Sequence, residues 1–117
     1  MNGKKAGFPN DPFREVKMFW VYILRCADGS YYTGHTDDLE RRMGQYHAGE
    51  CTGYTAARLP VELIWSQETT TREEALSAER QIKGWSRNKK EAMIRGDWAE
   101  VSRLAKSKSA YPSTSLS

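Results

Sequence analysis

The sequence has little cysteine, no long apolar run and no repeated segment. These absences exclude several classes of protein. No stretch approaches the ~18 apolar residues that a membrane-spanning helix needs, so we expect no membrane partner. Lys4 and Lys5 are not followed by an apolar segment, which predicts no signal peptide. Cys26 and Cys51 have no metal-ligand spacing, and the lack of a disulfide framework favours a cytoplasmic protein. Cys26 lies in an apolar run and is expected to be a buried free thiol.

Length and composition indicate one globular domain. A chain of 117 residues, 38% hydrophobic and 28% charged, can bury a core without disulfides. We expect a flexible leader over residues 1–17, which are rich in Gly and Pro, and a Ser-rich disordered tail over residues 106–117. The domain is therefore predicted to span residues 18–105.

Positive charge is concentrated near the end of the domain. The formal net charge is only +3, but residues 80–108 hold nine basic and three acidic side chains, a local charge of +6. Such a stripe can attract phosphate. It can equally be the solvated face of a helix, and charge alone does not decide between the two.

The pattern of residues predicts an α+β fold in the order β-β-α-β-α-α. Residues 19–26 are β-formers, a turn signal follows at residues 27–30, and a second strand begins at Tyr31. A third short strand is expected over residues 61–65. The three strands can form a small antiparallel sheet flanked by helices.

Capping signals place the helices. Asp37 or Asp38 can cap a first helix that Gly49 ends near residue 48. Thr71 and Glu74 form a capping box for a second helix that runs to about Trp85. Residues 88–104 indicate a further helix, with a possible break at residues 96–97.

The register of the first hairpin decides which tyrosines share a face. A two-residue loop would pair Leu24 with Thr33 and put Tyr22 and Tyr32 on opposite faces. A three-residue loop with Gly29 in the left-handed region pairs Leu24 with Tyr32 and Tyr22 with Gly34. We favour this second register, which puts both phenols on one face with open space over Gly34.

Two charged residues lie on helix faces where the helical periodicity predicts apolar residues. Arg42 falls on the inward stripe of the first helix, and Glu79 falls on that of the second. A buried charge needs a partner, so one interpretation is a structural Arg42–Glu79 salt bridge. The other is a cleft in which the arginine binds a phosphate and the glutamate holds a divalent cation.

At these residues the chain resembles the GIY-YIG endonuclease superfamily. The first family triplet corresponds to residues 21–23 or, aligned on its tyrosine, to residues 20–22, and the second to residues 32–34. Residues 38–42 resemble the helix segment with the family arginine, and residues 74–79 resemble the segment with its metal-binding glutamate. The opening strand and the basic run after Lys83 are similar to the YhbQ-like subgroup of small stand-alone members.

The resemblance implies a divalent-metal-dependent endonuclease that hydrolyses phosphodiester bonds in nucleic acid, expected to be DNA, in processes such as DNA repair. It implies one Mg²⁺ or Mn²⁺ ion on Glu79 and charge stabilisation by Arg42. Tyr22 or Tyr32 would orient or deprotonate the attacking water, with the metal, Arg42 or His35 lowering the phenol's pKa, and His35 could share the role of base. Four basic side chains would contact the nucleic-acid backbone: Lys83, Arg87, Lys89 and Lys90.

The sequence departs from the family at one position that bears on activity. The family often has a histidine four residues after its arginine, and here Tyr46 stands there, followed by His47. A nucleic-acid-binding module without catalysis therefore stays an alternative to the nuclease. A domain that only contacts other proteins is a further alternative, although nothing in the sequence indicates an obligate protein partner.

Overall fold

The computed structural model describes residues 17–109, with side chains described to residue 105. The elements, in chain order, are β1 (Phe19–Arg25), β2 (Tyr31–Thr36), α1 (Leu39–His47), β3 (Glu62–Thr69), α2 (Arg72–Lys83), α3 (Arg87–Ile94) and α4 (Trp98–Ser109). A 3₁₀ turn, Ala56–Arg58, lies between α1 and β3. The predicted α+β class with a three-stranded antiparallel sheet is confirmed. Among the described residues, no helix is long and apolar enough to cross a bilayer.

The sheet has the order β2-β1-β3, so β1 is central and β2 is an edge strand. The favoured hairpin register is confirmed, because Leu24 pairs with Tyr32 and Tyr22 pairs with Gly34. Gly29 has φ 84°, a left-handed conformation that costs glycine little. The amide of Cys26 donates to the carbonyl of Ser30 at 2.8 Å, which closes the three-residue loop.

One face of the sheet carries the core that α1 covers. Tyr22 and Leu24 alternate along β1, Cys26 follows the strand, and all three are buried together with Tyr46 and Val61. Cys26 is a buried free cysteine, as its apolar surroundings predicted. The opposite face of β1 is also buried, since Val21 and Ile23 are almost fully inaccessible. Burial on both faces makes β1 the most constrained segment of the sheet.

Both ends of α1 are capped by local sequence. Asp38, one of the two candidates, accepts a hydrogen bond from the amide of Arg41 at 3.1 Å. At the other end the amide of Gly49 donates to the carbonyl of Tyr46, and the amide of Glu50 donates to that of Gln45. This is a Schellman motif, with Gly49 at φ 75°. The motif therefore determines where α1 ends and the following loop begins.

Two boundaries differ from the prediction. β3 is longer than residues 61–65 and reaches Thr69, because β1 pairs with it over its whole length, Phe19 opposite Thr69. The polar end of β3 is thus extended because it pairs with β1, although its residues alone do not predict a strand. The capping box of α2 forms as expected, with Thr71 Oγ1 accepting from the Glu74 amide at 3.1 Å. α2 ends at Lys83, two residues before the predicted end at Trp85.

The chain divides into two compact units at the bond between Glu79 and Arg80. In the second unit, α3 and α4 pack together and are separated where the sequence suggested a break. Gly96, at φ 77°, ends α3 in a second Schellman motif, and Asp97 caps α4 by accepting from the Glu100 amide. α4 extends to Ser109, four residues into the predicted tail, while residues 1–16 of the leader and 110–117 of the tail lie outside the described residues.

Candidate active site

A cavity of about 300 Å³ is lined largely by the edge strand β2, and we call it the site cavity. All five residues predicted for catalysis and metal binding line it: Tyr22, Tyr32, His35, Arg42 and Glu79. They come from β1, β2, α1 and the part of α2 within the first unit. The strand alternates faces, so Tyr32 and His35 reach the cavity from opposite sides of the sheet. The sheet edge is therefore where side chains of both faces can meet.

Gly34 allows Tyr22 to lie at the cavity wall. A Cβ atom at Gly34 would be 2.7 Å from the Tyr22 hydroxyl oxygen and 2.8 Å from its Cζ. The expectation of open space over Gly34 is wrong, because the phenol of its strand partner leans across the glycine and fills that space. Glycine is needed here for close approach and not for an unusual φ.

The Tyr22 phenol is held by two polar neighbours. Its oxygen lies 2.9 Å from the Tyr46 phenol oxygen, in a buried hydrogen bond, and 3.5 Å from Nη1 of Arg42. Burial, followed by the hydrogen bond to Tyr46, raises the pKa of Tyr22 well above its ordinary value, although Arg42 acts to lower it. The net direction is opposite to the lowering that a tyrosine base would need. Tyr22 is thus a protonated phenol at neutral pH.

Arg42 is half-buried, as its position on the inward stripe predicted. Burial lowers the pKa of its guanidinium, but the phenol oxygens of Tyr22 and Tyr46 outweigh that effect and the net shift is upward. An arginine is charged at any physiological pH in either case. The site cavity therefore has a fixed positive charge beside two hydroxyl groups.

Glu79 lies against His35 and not against Arg42. Nδ1 of His35 and Oε1 of Glu79 form a short hydrogen bond, with the glutamate side chain 12% exposed and the imidazole 27% exposed. One interpretation of the sequence was a salt bridge between Arg42 and Glu79. Among the described residues, Glu79 forms an ion pair with His35 instead. The reason is topological, since His35 pairs with Val21 and points to one face of the sheet, whereas α1 covers the other face, which carries Tyr22.

Arg72 and Asp37 also line the site cavity, although no sequence pattern predicted them there. They are 3.8 Å apart, and Asp37 is also 3.3 Å from Lys17. Lys17 and Arg72 lower the pKa of the Asp37 carboxyl, with Lys17 making the larger contribution. Arg72 could have been found from its spacing, because it precedes Glu79 by two helical turns and so shares its face.

The described residues contain no cluster of three or more His, Cys, Asp or Glu side chains that could enclose a metal ion. Glu79 and Asp37 are the carboxylates that line the site cavity. Mg²⁺ keeps several water ligands and needs only one or two carboxylates when a substrate phosphate supplies the rest. The donor set fits a hydrated Mg²⁺ or Mn²⁺ shared with substrate, and it does not fit an ion held by protein ligands alone.

The four predicted backbone-contacting residues belong to the second unit. Lys83 ends α2, and the other three lie in α3. Arg87 pairs with Glu91 at 3.1 Å, and the ammonium of Lys89 lies 4.3 Å from the centroid of the Trp85 ring. Burial lowers the pKa of Lys90, with a smaller contribution from nearby Arg87. This helix therefore carries cations next to an aromatic ring.

Comparison with known proteins agrees with the motifs. The family model described as the GIY-YIG catalytic domain matches residues 18–92. A UPF0213 protein of Streptococcus pneumoniae is 45% identical over 75 residues, 64% of this chain and 76% of that protein. The UPF0213 protein of Halobacterium salinarum is 42% identical over 77 residues, 66% of this chain and 100% of its own.

Among solved structures, the solution NMR structure of the UPF0213 protein BH0048 from Bacillus halodurans is 34% identical, with a TM-score of 0.46. The match covers 84% of this chain and 99% of that one. The resemblance inferred from four short motifs is confirmed by the family match over most of the first unit and the start of the second. This chain belongs to the GIY-YIG catalytic domain family and, within it, to the small UPF0213 proteins.

Proposed function

We propose that this protein is a divalent-metal-dependent endonuclease that hydrolyses phosphodiester bonds, with DNA as its substrate. The observation that carries the proposal is the convergence on one cavity of a fixed cation, two phenols, an imidazole and a carboxylate. Membership of the GIY-YIG family supports the reaction class. The free thiols Cys26 and Cys51 support a reducing compartment, and we place the protein in the cytoplasm.

Arg42 would bind the scissile phosphate and stabilise the negative charge that grows on it in the pentavalent transition state. Its guanidinium is partly desolvated and is oriented by Tyr22, so it needs little reorganisation when substrate binds. Loss of one preorganised donor of this kind costs roughly 10²–10³ in kcat. The proposed role of Arg42 follows from its partial burial and its contact with Tyr22.

Tyr22 would act as a hydrogen-bond donor through its phenol O–H group. It would not act as the general base. The phenol is protonated at neutral pH because it is buried and bonded to Tyr46. The proton of the attacking water would then go to His35 or to Tyr32, which both line the cavity and are more accessible. We favour His35, because imidazole is the commonest general base and Glu79 orients its ring.

Glu79 would hold the single Mg²⁺ or Mn²⁺ ion, which supplies charge stabilisation at the phosphate and the leaving oxygen when it is bound. Glu79 is the least exposed member of the His35–Glu79 pair. A carboxylate kept from bulk water by α2 and the sheet edge retains more of its attraction for a cation. Lys83, Arg87, Lys89 and Lys90 would contact the nucleic-acid backbone without reading its bases.

The test is cleavage of labelled single-stranded, duplex and branched DNA, and of RNA, with Mg²⁺ or Mn²⁺ and with EDTA. Wild type is compared with Glu79→Gln and with Glu73→Gln, a matched control because Glu73 is exposed on the same helix. We expect metal-dependent cutting by wild type and Glu73→Gln that is lost in Glu79→Gln, while circular dichroism shows all three folded. Cutting by Glu79→Gln at the wild-type rate would overturn the metal role.

One observation favours a second function, a nucleic-acid-binding module without catalysis. Tyr46 occupies the position where the family often has histidine, and its phenol is buried against Tyr22. A site built this way could bind a phosphate through Arg42 without removing a proton from water. The same experiment identifies it: folded wild-type protein that binds nucleic acid and cuts none of the four substrates with either metal.

A further inference from the structure

A second cavity of about 300 Å³ lies on the other side of the wall that bounds the site cavity, and we call it the second cavity. The two cavities share Tyr32 and Arg42 in their linings. Of these two cavities, Tyr22 lines the first and Tyr46 lines the second, and their phenol oxygens are 2.9 Å apart. Four side chains therefore form the boundary between the two cavities, so a group bound in one lies directly beside a group bound in the other.

The chemistry of the second cavity differs from that of the first. Beyond the shared wall it is lined by Gln45, Glu50, Cys51, Thr52 and Thr55. Glu50 would repel a phosphate, and Arg42 is already directed at Tyr22. An amide, a carboxylate and two hydroxyls together accept and donate hydrogen bonds without a surplus of positive charge. This set suits a neutral polar ring better than an anion.

Local contacts hold the backbone at the end of α1 and the ring of Tyr32 in place beside the second cavity. The Schellman motif at the end of α1 ties Glu50 to Gln45 through a backbone hydrogen bond of 2.8 Å. Tyr54 stacks on Tyr32 with ring centroids 6.1 Å apart, and Arg58 lies 3.7 Å from the Tyr54 centroid. An aromatic ring that is already packed loses little freedom when a flat ligand binds, which lowers the entropic cost of binding.

We propose that the second cavity binds the base of the nucleotide next to the scissile phosphate, and that it prefers a base with an exocyclic amino group. The amino group would donate to Glu50, while the Gln45 amide, which can both donate and accept, contacts the ring edge. Tyr32 supplies the aromatic face against which the base lies. The volume is at the lower end of small-ligand sites, which suits one base and its sugar.

This proposal rests on the proposed function for the position of the scissile phosphate, and it adds a consequence for substrate class. A base that lies on Tyr32 and has its edge bound by Glu50 and Gln45 cannot be stacked and paired in a duplex at the same time. Binding it requires a nucleotide that is single-stranded, bulged or turned out of the helix, which costs least where the base is already unpaired. The favoured substrates are therefore unpaired segments, and a base with an exocyclic amino group (adenine, cytosine or guanine) is preferred to thymine beside the cut.

The chain contains its own reporter for this cavity. Of its two cysteines, Cys51 lines the second cavity and is half-buried, whereas Cys26 is fully buried. The rate at which iodoacetamide alkylates Cys51 is measured by mass spectrometry in EDTA, so that no cleavage is needed. The probes are the 5′-monophosphates of deoxycytidine, deoxyadenosine and thymidine, with 2-deoxyribose 5-phosphate as the probe that lacks a base. Cys26 reports any general loosening of the fold.

We expect the cytidine and adenosine nucleotides to slow alkylation of Cys51 at concentrations about tenfold lower than thymidine monophosphate, while the sugar phosphate has little effect. Gln45→Ala should weaken the protection about tenfold, and Gln67→Ala, at an exposed position on β3, should leave it unchanged. Equal protection by the sugar phosphate, no protection by any nucleotide, or no preference over thymidine would overturn the proposal. Because this assay needs no cutting, its result is separate from that of the nuclease test.

Discussion

Replacing Gly34 by alanine tests the central feature of the site, the close approach of Tyr22 to the edge strand. The new Cβ would lie 2.7 Å from the phenol oxygen, so that oxygen must move about 0.7 Å to reach an ordinary contact of 3.4 Å. Tyr22 has no exposed surface and its oxygen is bonded to Tyr46, so the ring cannot turn out to solvent. The strain therefore falls on the core beneath α1.

Overpacking of a core by one methyl group typically costs about 1–3 kcal/mol. For a domain of this size, each kcal/mol lowers the melting temperature by about 4–8 °C. The same displacement moves Tyr22 away from Arg42, and a misplacement approaching 1 Å can cost up to about 10²-fold in rate. Thermal unfolding followed by circular dichroism measures the first effect, and cleavage of the preferred substrate measures the second.

Gly44→Ala is the matched control. Gly44 lies within α1, and a Cβ there would have no atom within 4 Å. Alanine should raise stability by roughly 0.5–1 kcal/mol, because it favours the helix and glycine does not. If Gly34→Ala melts at the wild-type temperature or above while Gly44→Ala behaves as expected, Tyr22 does not lie over Gly34 and does not form the wall of the site cavity.

Two further predictions follow from the caps and from the buried phenol. Asp38→Ala should lower the free energy of unfolding by about 1 kcal/mol, since Asp38 caps α1, and an unchanged urea midpoint would contradict the capping role. The folded pKa of Tyr22 lies above its unfolded value near 10, so its contribution to stability is complete below about pH 10 and decreases as the pH rises further. Urea unfolding is measured between pH 8 and 11 for wild type and Tyr22→Phe. Above pH 10 the free energy of unfolding of wild type should fall more steeply than that of the variant, by up to about 1.4 kcal/mol per pH unit. Parallel curves would contradict the raised pKa of Tyr22.

Local signals were enough to predict most of the fold. The loop 27–29 with its glycine set the hairpin register, which in turn put Tyr22 opposite Gly34. Asp38 and the Thr71–Glu74 pair marked where α1 and α2 begin, and Gly49 marked where α1 ends. These signals work because turns and caps are satisfied by residues a few positions apart. The end of β3 was missed because its last four residues are extended only through pairing with β1.

Five of the residues that line the site cavity could be named from the sequence, and their partners could not. Charges on inward stripes and the spacing of the motifs singled out Arg42 and Glu79. Their partners depended on the tertiary structure, in which Glu79 bonds to His35 and Arg42 lies beside the Tyr22 phenol. No local pattern contains that information, since the paired residues are 44 and 20 positions apart.

The protonation of Tyr22 and the existence of the second cavity were decided only by the tertiary structure. Sequence alone suggested a phenol whose pKa falls beside a cation, but the burial of Tyr22 against Tyr46 outweighs the effect of Arg42. The second cavity needs the end of α1, the loop after it and the edge strand to meet. Sequence determines what each segment prefers locally, whereas desolvation and cavity shape depend on segments distant in the chain, and these exist only once the core has packed.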